Sequence, residues 1–227
     1  MHAMILAAGR GERMRPLTDT VPKPLIPVAG KPLIQWHLEK LARAGITDIT
    51  INHAWLGKLI ERSLGDGRQW GVKITYSAES VALETAGGIA TALPFLGTQP
   101  FLVMNGDIWC DWDPAEALLI AAQLSKSAQQ AWLLLVPNPA HNATGDFGLS
   151  ETGLVTPCGP PSFTFSGIGL YKPSLFANTP AHQAAKLAPL LRAAISGQEV
   201  SGRLHTGTWI DVGTPERLST LECMLKS

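Results

Sequence analysis

Short apolar runs and segments of helical periodicity alternate along the first 136 residues of the chain. A brief run of apolar or alternating residues, bounded by turn residues, is typical of a strand. This pattern predicts strands at 3–8, 47–52, 72–76, 101–104 and 132–136. Apolar residues that recur every three or four positions are typical of one face of a helix. They predict helices at 33–42, 56–64, 87–93 and 113–124.

Several residues are suited to the ends of these helices. Gly45 stands where a C-cap glycine belongs. Pro94 is expected to stop the third helix, and Asp113 is the expected N-cap of the fourth. His37 lies on the apolar face of the first helix, so we expect it to be packed in the core rather than bound to a ligand.

The second half of the chain is less regular. Residues 138–162 contain several Pro and Gly residues and are predicted to form loops with a short hairpin. A helix at 184–195 is expected to be interrupted by Pro189. A last helix is predicted to begin after its N-cap Thr214, with Pro215 at its first position. Strands are predicted at 163–171, 200–204 and 208–212.

The alternation of strands and helices indicates an α/β fold with a mostly parallel central sheet and right-handed crossovers. In such sheets, ligands bind outside the carboxyl ends of the strands. The predicted strands at 3–8 and 101–104 lead directly into Gly9 and Asn105. We therefore expect the loop after Gly9 and the acidic residue Asp107 to lie on one rim of the sheet.

Length and composition limit the class of protein. The 227 residues fit one α/β domain, and 45% hydrophobic against 16% charged residues is an ordinary balance for a soluble protein. The formal net charge of zero disfavours nucleic acid as a partner. Because no apolar stretch reaches membrane length and the first residues lack a basic segment before an apolar run, we expect neither a membrane span nor a secretion signal. Cys110, Cys158 and Cys223 are far apart and lack metal-ligand spacing, so disulfides and zinc are unsupported and a reducing cytoplasm is expected.

The loop after the first strand concentrates positive charge. Gly9 and Gly11 allow the backbone to approach an anion closely, and successive N–H groups can hold one. A dinucleotide-binding loop would need a third glycine, and a Walker loop would need Gly-Lys-Ser/Thr, so neither motif is present. We expect the loop to bind a polyanion, ordered by its prolines. Four cations lie within fourteen residues: Arg10, Arg13, Arg15 and Lys23.

The stretch Leu6-Ala-Ala-Gly-x-Gly-x-Arg-x-Arg-Pro-Leu-Thr18, followed by Pro22-Lys-Pro-Leu25, resembles the signature of the sugar-1-phosphate nucleotidylyltransferases. This resemblance implies a nucleotide-diphosphosugar transferase fold, which is a Rossmann-like α/β/α sandwich. It implies a single domain over 1–227, with the nucleotide-binding part at about 1–110 and the sugar-binding part at about 111–227. In the implied reaction, a sugar 1-phosphate attacks the α-phosphorus of a nucleoside triphosphate and pyrophosphate leaves.

Two aspartates resemble the residues that hold Mg²⁺ in this family. Asp107 lies in Asn-Gly-Asp and Asp211 lies in Trp-x-Asp-x-Gly-Thr-Pro, whereas either one alone would be interpreted as a turn or strand-end residue. Two carboxylates with substrate phosphates suffice for Mg²⁺. The same resemblance implies two catalytic cations: Arg15 at the triphosphate and Lys23 near the phosphates undergoing transfer. Two prolines flank Lys23, so its ammonium group is expected to be held in one direction.

The remaining site residues are implied by the resemblance as well. Glu84 stands where the family commonly has glycine, although an acidic first turn of a helix would also account for it. The Glu-Lys-Pro motif of the family's sugar site is missing, and Pro157-Cys-Gly-Pro160 occupies its place. The nucleotide is expected to contact Ala8, Gly9, Gly11, Glu12, Arg13, Thr85 and Gly88. The sugar phosphate is expected to contact Asn105, Gly145, Ser166 and Gly167.

Within the family, the opening motif, the segment 52–57 and the short length most resemble the enzymes that transfer a uridylyl group to N-acetylmuramate 1-phosphate in bacterial peptidoglycan recycling. The expected partners are UTP and a sugar 1-phosphate, the expected cofactor is Mg²⁺, and the protein is expected to be a monomer or small homo-oligomer. Thymidylyl or guanylyl transfer to a hexose 1-phosphate is the near alternative, and a cytidylyltransferase for choline is a third. An inactive nucleotide-sugar sensor would be expected to lose Asp107, Asp211 or Lys23, and all three are present.

Overall fold

A nine-stranded sheet forms the centre of the computed structural model, which describes residues 1–226. Ser227, the last residue of the predicted domain, lies outside the described residues. The strands are β1 (His2–Leu6), β2 (Pro27–Val28), β3 (Lys31–Pro32), β4 (Asp48–His53), β5 (Lys73–Ala78), β6 (Phe101–Asn105), β7 (Ile108–Cys110), β8 (Ala131–Val136), β9 (Phe147–Leu149), β10 (Val155–Thr156), β11 (Ser162–Tyr171), β12 (Val200–Leu204) and β13 (Trp209–Asp211). The helices are α1 (Leu33–Arg43), α2 (Gly57–Leu64), α3 (Glu84–Leu96), α4 (Glu116–Lys126), α5 (Leu187–Ser196) and α6 (Pro215–Lys226).

The central sheet is mostly parallel, as predicted. Its path runs β10-β9-β11-β6-β1-β4-β5, and β8 and β12 join it beside β11. The pairs β1–β4, β1–β6, β4–β5 and β8–β12 are parallel, whereas β11 is antiparallel to β6, β8 and β9. Only β10 and β11 therefore run against the other strands of this described sheet. Since strands from both halves of the chain belong to one sheet, the two predicted parts share it.

Alternate residues of the central strands point to opposite faces, and each face carries its own core. Met4 packs with Val103 and with Ile89 of α3 on one face. Ile5 lies on the other face, in the cluster that contains Leu38 of α1 and apolar residues of α2. Helices thus cover both faces of the sheet, which confirms the α/β/α arrangement that the resemblance implies.

Two prolines do not break their helices, contrary to the prediction. Pro94 lies inside α3, which continues to Leu96 because that side chain is buried in the core. The buried contact offsets the loss of one helical hydrogen bond. Pro189 is the third residue of α5, where its missing N–H would have no partner within the helix. For that reason α5 is continuous, although it begins three residues later than predicted.

The start of α3 depends on a contact that is distant in sequence. The helix begins at Glu84, three residues before the predicted start. The N–H groups of Ala86 and Gly87 both donate to the carbonyl of Ala185, at 2.9 and 3.1 Å. This carbonyl satisfies donors that a helix N-terminus otherwise leaves unpaired, so the first turn is stable without a local capping side chain.

One predicted helix cap is wrong and another is confirmed. α4 begins at Glu116 rather than at residue 113 or 114. The Asp113 carboxylate instead accepts a hydrogen bond from the Ala115 N–H (2.9 Å) in the turn before the helix. At α6, the Thr214 hydroxyl oxygen accepts a hydrogen bond from the Arg217 N–H (3.4 Å), as expected for an N-cap.

A short strand in the middle of the chain was not predicted. β7 has only three residues and pairs in antiparallel fashion with β13, forming a two-stranded ribbon outside the main sheet. The predicted hairpin within 138–162 is formed by β9 and β10. Within residues 1–226, no helix has the length and apolar character needed to span a membrane.

Candidate active site

The carboxyl ends of the central strands meet where several predicted site residues converge. Leu6 at the end of β1 pairs with Asn52 of β4 on one side and Asn105 of β6 on the other. The Gly106 N–H donates to the Leu6 carbonyl (2.9 Å). The loops that follow β1 and β6 therefore begin side by side, and the predicted common rim is confirmed.

Lys23 and Asp107 form a close charged pair on this rim. The Lys23 Nζ atom lies 2.5 Å from Asp107 Oδ2, although 84 residues separate them in sequence. Lys23 opens a short 3₁₀ turn directly after Pro22, and only 8% of the residue is exposed. Its ammonium group is thus held in one direction, as the flanking prolines predict.

The β7–β13 ribbon brings Asp211 beside Asp107. Asp211 pairs with Ile108 across the ribbon, and the N–H of the next residue donates to the Asp107 carbonyl (2.8 Å). The Asp211 Oδ2 atom lies 3.4 Å from His141 Nε2 and 3.4 Å from Arg217 Nη2. Neither His141 nor Arg217 was predicted at the site. Two carboxylates on adjacent backbone segments supply hard oxygen ligands of the kind that Mg²⁺ prefers, so these residues fit a metal site completed by phosphate oxygens.

Two arginines of the opening loop are already paired with carboxylates. Arg15 lies 3.0 Å from Asp19 and 3.4 Å from Glu12, and about half of its side chain is exposed. Arg10 lies 3.0 Å from the same Asp19 and its guanidinium stacks over the Trp55 ring. The predicted catalytic residue Arg15 is therefore bound by its own acidic neighbours in the loop.

Arg13 is placed differently. In the described part of the chain, no carboxylate lies within ion-pair distance of it. Its guanidinium extends to Gly213, where an added Cβ atom would lie 3.0 Å from Arg13 Nη2 and 2.9 Å from Asp211 Oδ1. Both side chains therefore lie close to one point. Arg13, which the resemblance implies as a nucleotide contact, thus places an unpaired guanidinium near Asp211, beside the Arg217 guanidinium that pairs with that carboxylate.

Gly11 and Glu12 shape the loop between these cations. Gly11 has a φ of 71°, in the left-handed region that favours glycine. Its carbonyl accepts hydrogen bonds from the Thr18 hydroxyl (2.8 Å) and the Met14 N–H (2.9 Å). Glu12 starts the 3₁₀ turn that follows, and its carboxylate faces Arg15. The predicted contacts of Gly11 and Glu12 with a nucleotide stay predictions.

A cavity of about 360 Å³ opens along the rim, and we call it the first cavity. The loop after β1 bounds one side of it, and the first turn of α3 bounds the other. Gly9 offers open space, since an added Cβ atom would meet nothing within 4 Å. The predicted residues that line the first cavity are Ala8, Gly9, Lys23, Thr85, Asn105 and Asp107.

A buried hydrogen-bonded network beside the first cavity was not predicted. Asn52, which lines the cavity, accepts the Ala7 N–H at Oδ1 (3.0 Å) and donates from Nδ2 to Glu79 Oε1 (2.7 Å). The other Glu79 oxygen accepts the Leu83 N–H (2.9 Å). Because the Ala7 N–H turns to Asn52, β1 ends at Leu6 rather than at residue 8. Burial raises the pKa of the Glu79 carboxyl above its ordinary value.

Gly88, a predicted nucleotide contact, lies against this network on α3. A Cβ atom at this position would lie 2.8 Å from Asn52 Nδ2 and 2.9 Å from Glu79 Oε1. Glycine is therefore required by close packing here. The sequence did contain one signal for Asn52, because it is a polar residue at the carboxyl end of a predicted strand.

A cavity of about 540 Å³, here the second cavity, continues from the first. Glu84, Thr85 and Asn105 line both cavities. Glu84 has a φ of 59°, which non-glycine residues rarely adopt and which suits the glycine that the resemblance implies at this position. Gly145 lines the second cavity, and so does Cys158 of the segment that stands in place of Glu-Lys-Pro. The contact of Gly145 with a sugar phosphate stays a prediction.

Ser166 and Gly167 support the site from behind. They lie where the register of β11 against β8 shifts. An added Cβ atom at Gly167 would lie 2.5 Å from Asn105 Nδ2, and the buried Ser166 accepts the Trp209 indole N–H at its carbonyl (2.9 Å). Neither residue lines either cavity as described. Their contacts instead position the Asn105 side chain and β13, which carries the metal-site candidate at its end.

A second group of metal-ligand side chains lies at the other end of β7. Donor atoms of Cys110, Asp111 and His205 all lie within 4.8 Å of one another. Burial raises the pKa of the Cys110 thiol to about 11. The Asp111 oxygens are already bonded to His205 Nε2 (2.5 Å) and to the Thr208 N–H (2.9 Å), and the Lys40 ammonium donates to the Cys110 carbonyl. These side chains thus form a hydrogen-bonded cluster that the sequence spacing did not indicate.

Comparison with known proteins identifies relatives along the whole chain. The model of the family described as nucleotidyl transferase matches residues 2–227. An N-acetylmuramate alpha-1-phosphate uridylyltransferase from Neisseria meningitidis serogroup B is 56% identical over 227 residues, covering 99% of this chain and 98% of the relative. A protein of the same name from Caulobacter vibrioides is 35% identical over 235 residues, covering 98% and 96%.

A solved structure with a closely similar fold comes from Bacillus anthracis. That protein, assigned as a glucose-1-phosphate thymidylyltransferase and crystallised with sucrose, superposes with a TM-score of 0.87. The match covers 100% of this chain and 96% of the other at 24% identity. At this level of identity the likeness concerns the fold alone.

Proposed function

The chain belongs to the nucleotidyl transferase family, and we propose that it transfers the uridylyl group of UTP to N-acetylmuramate 1-phosphate, giving UDP-N-acetylmuramate and pyrophosphate. It is an enzyme of the sugar-1-phosphate nucleotidyltransferase class. The choice of substrates is supported by the relative with 56% identity over 98% of its length, which is named for this activity. The observation that carries the chemistry is the convergence of Lys23, Asp107 and Asp211 on one rim.

Charge neutralisation is the main task of this site. Both reactants are anions, so the barrier falls chiefly through positioning and electrostatic stabilisation. We assign Lys23 to the phosphates undergoing transfer, because its ammonium group is buried, fixed in direction and adjacent to Asp107. We assign Arg13 to the triphosphate, because its guanidinium is unpaired with any described carboxylate and lies beside Asp211. Arg15, the residue predicted for that role, is paired with Glu12 and Asp19.

Members of the family generally use a divalent metal ion, and we assign Mg²⁺ to this chain. Asp107 and Asp211 would hold it, with substrate phosphate oxygens as further ligands. When bound, the ion supplies positive charge that polarises the phosphate oxygens. Asp107 also accepts the Lys23 ammonium at 2.5 Å. This carboxylate therefore orients the lysine as well as offering a metal ligand.

The two cavities divide the substrates between them in this proposal. UTP occupies the first cavity, whose lining residues all lie between 6 and 107, and the sugar occupies the second, whose lining extends to residue 192. N-acetylmuramate carries a lactyl carboxylate on O3. The segment Pro157-Cys-Gly-Pro160, which stands in place of the family's Glu-Lys-Pro, contains no acidic residue that would repel this carboxylate. Like charges in a desolvated site cost several kcal/mol, so the missing glutamate favours this acidic sugar.

The acceptor is a sugar of the bacterial cell wall, and we place the reaction in the cytoplasmic recycling of peptidoglycan.

The oligomeric state is expected to be a monomer or a small homo-oligomer. Light scattering after size-exclusion chromatography, with and without UTP, would determine it.

Pyrophosphate release from pairs of substrates tests the proposed reaction. The purified protein with Mg²⁺ is given UTP, dTTP or GTP together with the 1-phosphates of N-acetylmuramate, N-acetylglucosamine or glucose. We expect the highest kcat/KM for UTP with N-acetylmuramate 1-phosphate. If dTTP with glucose 1-phosphate is favoured by about tenfold, or about 1.4 kcal/mol, the substrate assignment is wrong. Absence of turnover with every pair would favour the alternative of an inactive nucleotide-sugar sensor.

A further inference from the structure

Two cations on the wall of the second cavity have no role in the chemistry described above. Lys186 is the residue directly before α5, with extended backbone angles, and Arg192 follows in the second turn of that helix. Both line the second cavity, together with Ala188 and Leu191. Residues 188, 191 and 192 are spaced i, i+3 and i+4, so they share one face of α5.

Neither cation is neutralised within residues 1–226. No described carboxylate lies within ion-pair distance of Lys186 or Arg192. Asp146 lines the same cavity, but its Oδ2 atom is engaged by the Phe165 N–H (2.8 Å). Glu84 lies at the junction with the first cavity and makes no ion pair there. The outer part of the second cavity thus presents two available cations to a ligand.

We propose that Lys186 and Arg192 bind a carboxylate on the sugar and thereby select an acidic sugar 1-phosphate over a neutral one. This inference rests on the proposed function and adds the residues that determine its specificity. A guanidinium can hold a carboxylate through two parallel hydrogen bonds, and an ammonium adds a point charge. In the proposed function, the phosphate of the sugar lies at the rim, beside Lys23 and the metal ion that Asp107 and Asp211 would hold. A second anionic group at the far side of the sugar ring would therefore meet α5.

Two acceptors that differ in a single group isolate this interaction. N-acetylmuramate 1-phosphate and N-acetylglucosamine 1-phosphate differ only in the lactyl ether at O3. The variants are Lys186→Ala and Arg192→Ala, with the charge-retaining Lys186→Arg and Arg192→Lys. Arg62→Ala removes an exposed cation on α2, outside both cavities, and is the matched control. Circular dichroism establishes that each variant is folded.

We expect each alanine variant to lower kcat/KM for N-acetylmuramate 1-phosphate by about tenfold or more, mainly through KM. For N-acetylglucosamine 1-phosphate the change should stay within about twofold, and the charge-retaining variants should recover part of the loss. An equal loss for both acceptors, or no loss for either, overturns the proposal.

A binding experiment tests the carboxylate site independently of the proposed reaction. If the wild-type protein does not turn over N-acetylmuramate 1-phosphate, calorimetric titration with that compound still tests the cations. Binding that is weakened in both alanine variants but not in Arg62→Ala supports the carboxylate site, whereas absent or unchanged binding rejects it.

Discussion

Arg13 and Arg15 differ by two positions in sequence, and their removal should have opposite consequences. The resemblance to the family assigned the triphosphate contact to Arg15. In the structure, Arg15 is bound to Glu12 and Asp19, whereas Arg13 extends to the neighbourhood of Asp211. We therefore expect Arg13→Ala to impair catalysis and Arg15→Ala to affect mainly stability.

The magnitudes follow from these surroundings. Arg15 has a half-exposed side chain and two ion pairs at 3.0 and 3.4 Å, each worth at most about 1 kcal/mol at the surface. Its loss should lower the Tm by only a few degrees, at about 2–4 °C per kcal/mol for a chain of this size. Arg13 would make charge-assisted hydrogen bonds to phosphate, worth about 1.5–3 kcal/mol. Its loss should lower kcat/KM for UTP by roughly 10- to 150-fold.

Steady-state pyrophosphate release with varied UTP, together with thermal melts, distinguishes the two variants. Arg68→Ala is a matched control, because this exposed arginine also pairs with a carboxylate (Asp66, 3.0 Å) but lies outside both cavities. If Arg15→Ala lowers kcat/KM by about tenfold or more while Arg13→Ala has no effect, the reasoning from ion pairing is wrong. The motif-based assignment of Arg15 would then stand.

Three further changes test the site and the core that supports it. Asp107→Ala or Asp211→Ala should lower turnover by about a hundredfold or more at saturating Mg²⁺; near-normal turnover in a folded variant removes that residue from the metal site. Lys23→Ala should lower kcat, and Lys23→Arg should not fully restore it because a planar fork replaces a point charge; unchanged kcat and KM would make Lys23 a bystander. Burial, and to a lesser extent the Lys40 charge, lowers the pKa of His37 to about 4, so the folded state binds fewer protons than the unfolded state below the ordinary pKa of 6.5. Protonation of the unfolded state at His37 therefore leaves the free energy of unfolding nearly unchanged above pH 6.5 and lowers it as the pH falls towards 4, by about 2 kcal/mol between pH 7 and pH 5. Urea unfolding at both pH values should show this loss in the wild type and a smaller one in His37→Leu.

The mostly parallel character of the central sheet could be predicted from local patterns because its strands are short buried runs between amphipathic helices. Element ends were less predictable, since they depend on contacts between distant segments. The start of α3 relies on the Ala185 carbonyl, and its last turn persists beyond Pro94 because Leu96 is buried. β7 has only three residues and gains its partner, β13, about a hundred positions later. Periodicity over so short a segment carries little information.

Residues that lie together in a motif could be predicted as site residues, whereas those joined only by the fold could not. Asn52 lies in β4 and Glu79 directly follows β5, so their hydrogen bond becomes predictable only once these two strands are known to be neighbours. The same network explains Gly88, which resemblance assigned to the nucleotide and which in the structure leaves space for that pair. A motif thus identifies a residue without distinguishing contact with the ligand from support of the residues that make it.

The opening loop shows why the number of cationic residues in the sequence overestimates the positive charge that is available to a ligand. The loop brings four cations close together, but Asp19 pairs with both Arg10 and Arg15. Lys23 is paired as well, with an aspartate that a metal ion would also bind. In the part of the loop that the structure describes, Arg13 is the cation without a carboxylate partner. A bound triphosphate therefore competes with protein carboxylates for three of the cations, whereas it can contact Arg13 without such competition. How much each cation contributes to triphosphate binding thus depends on its acidic neighbours.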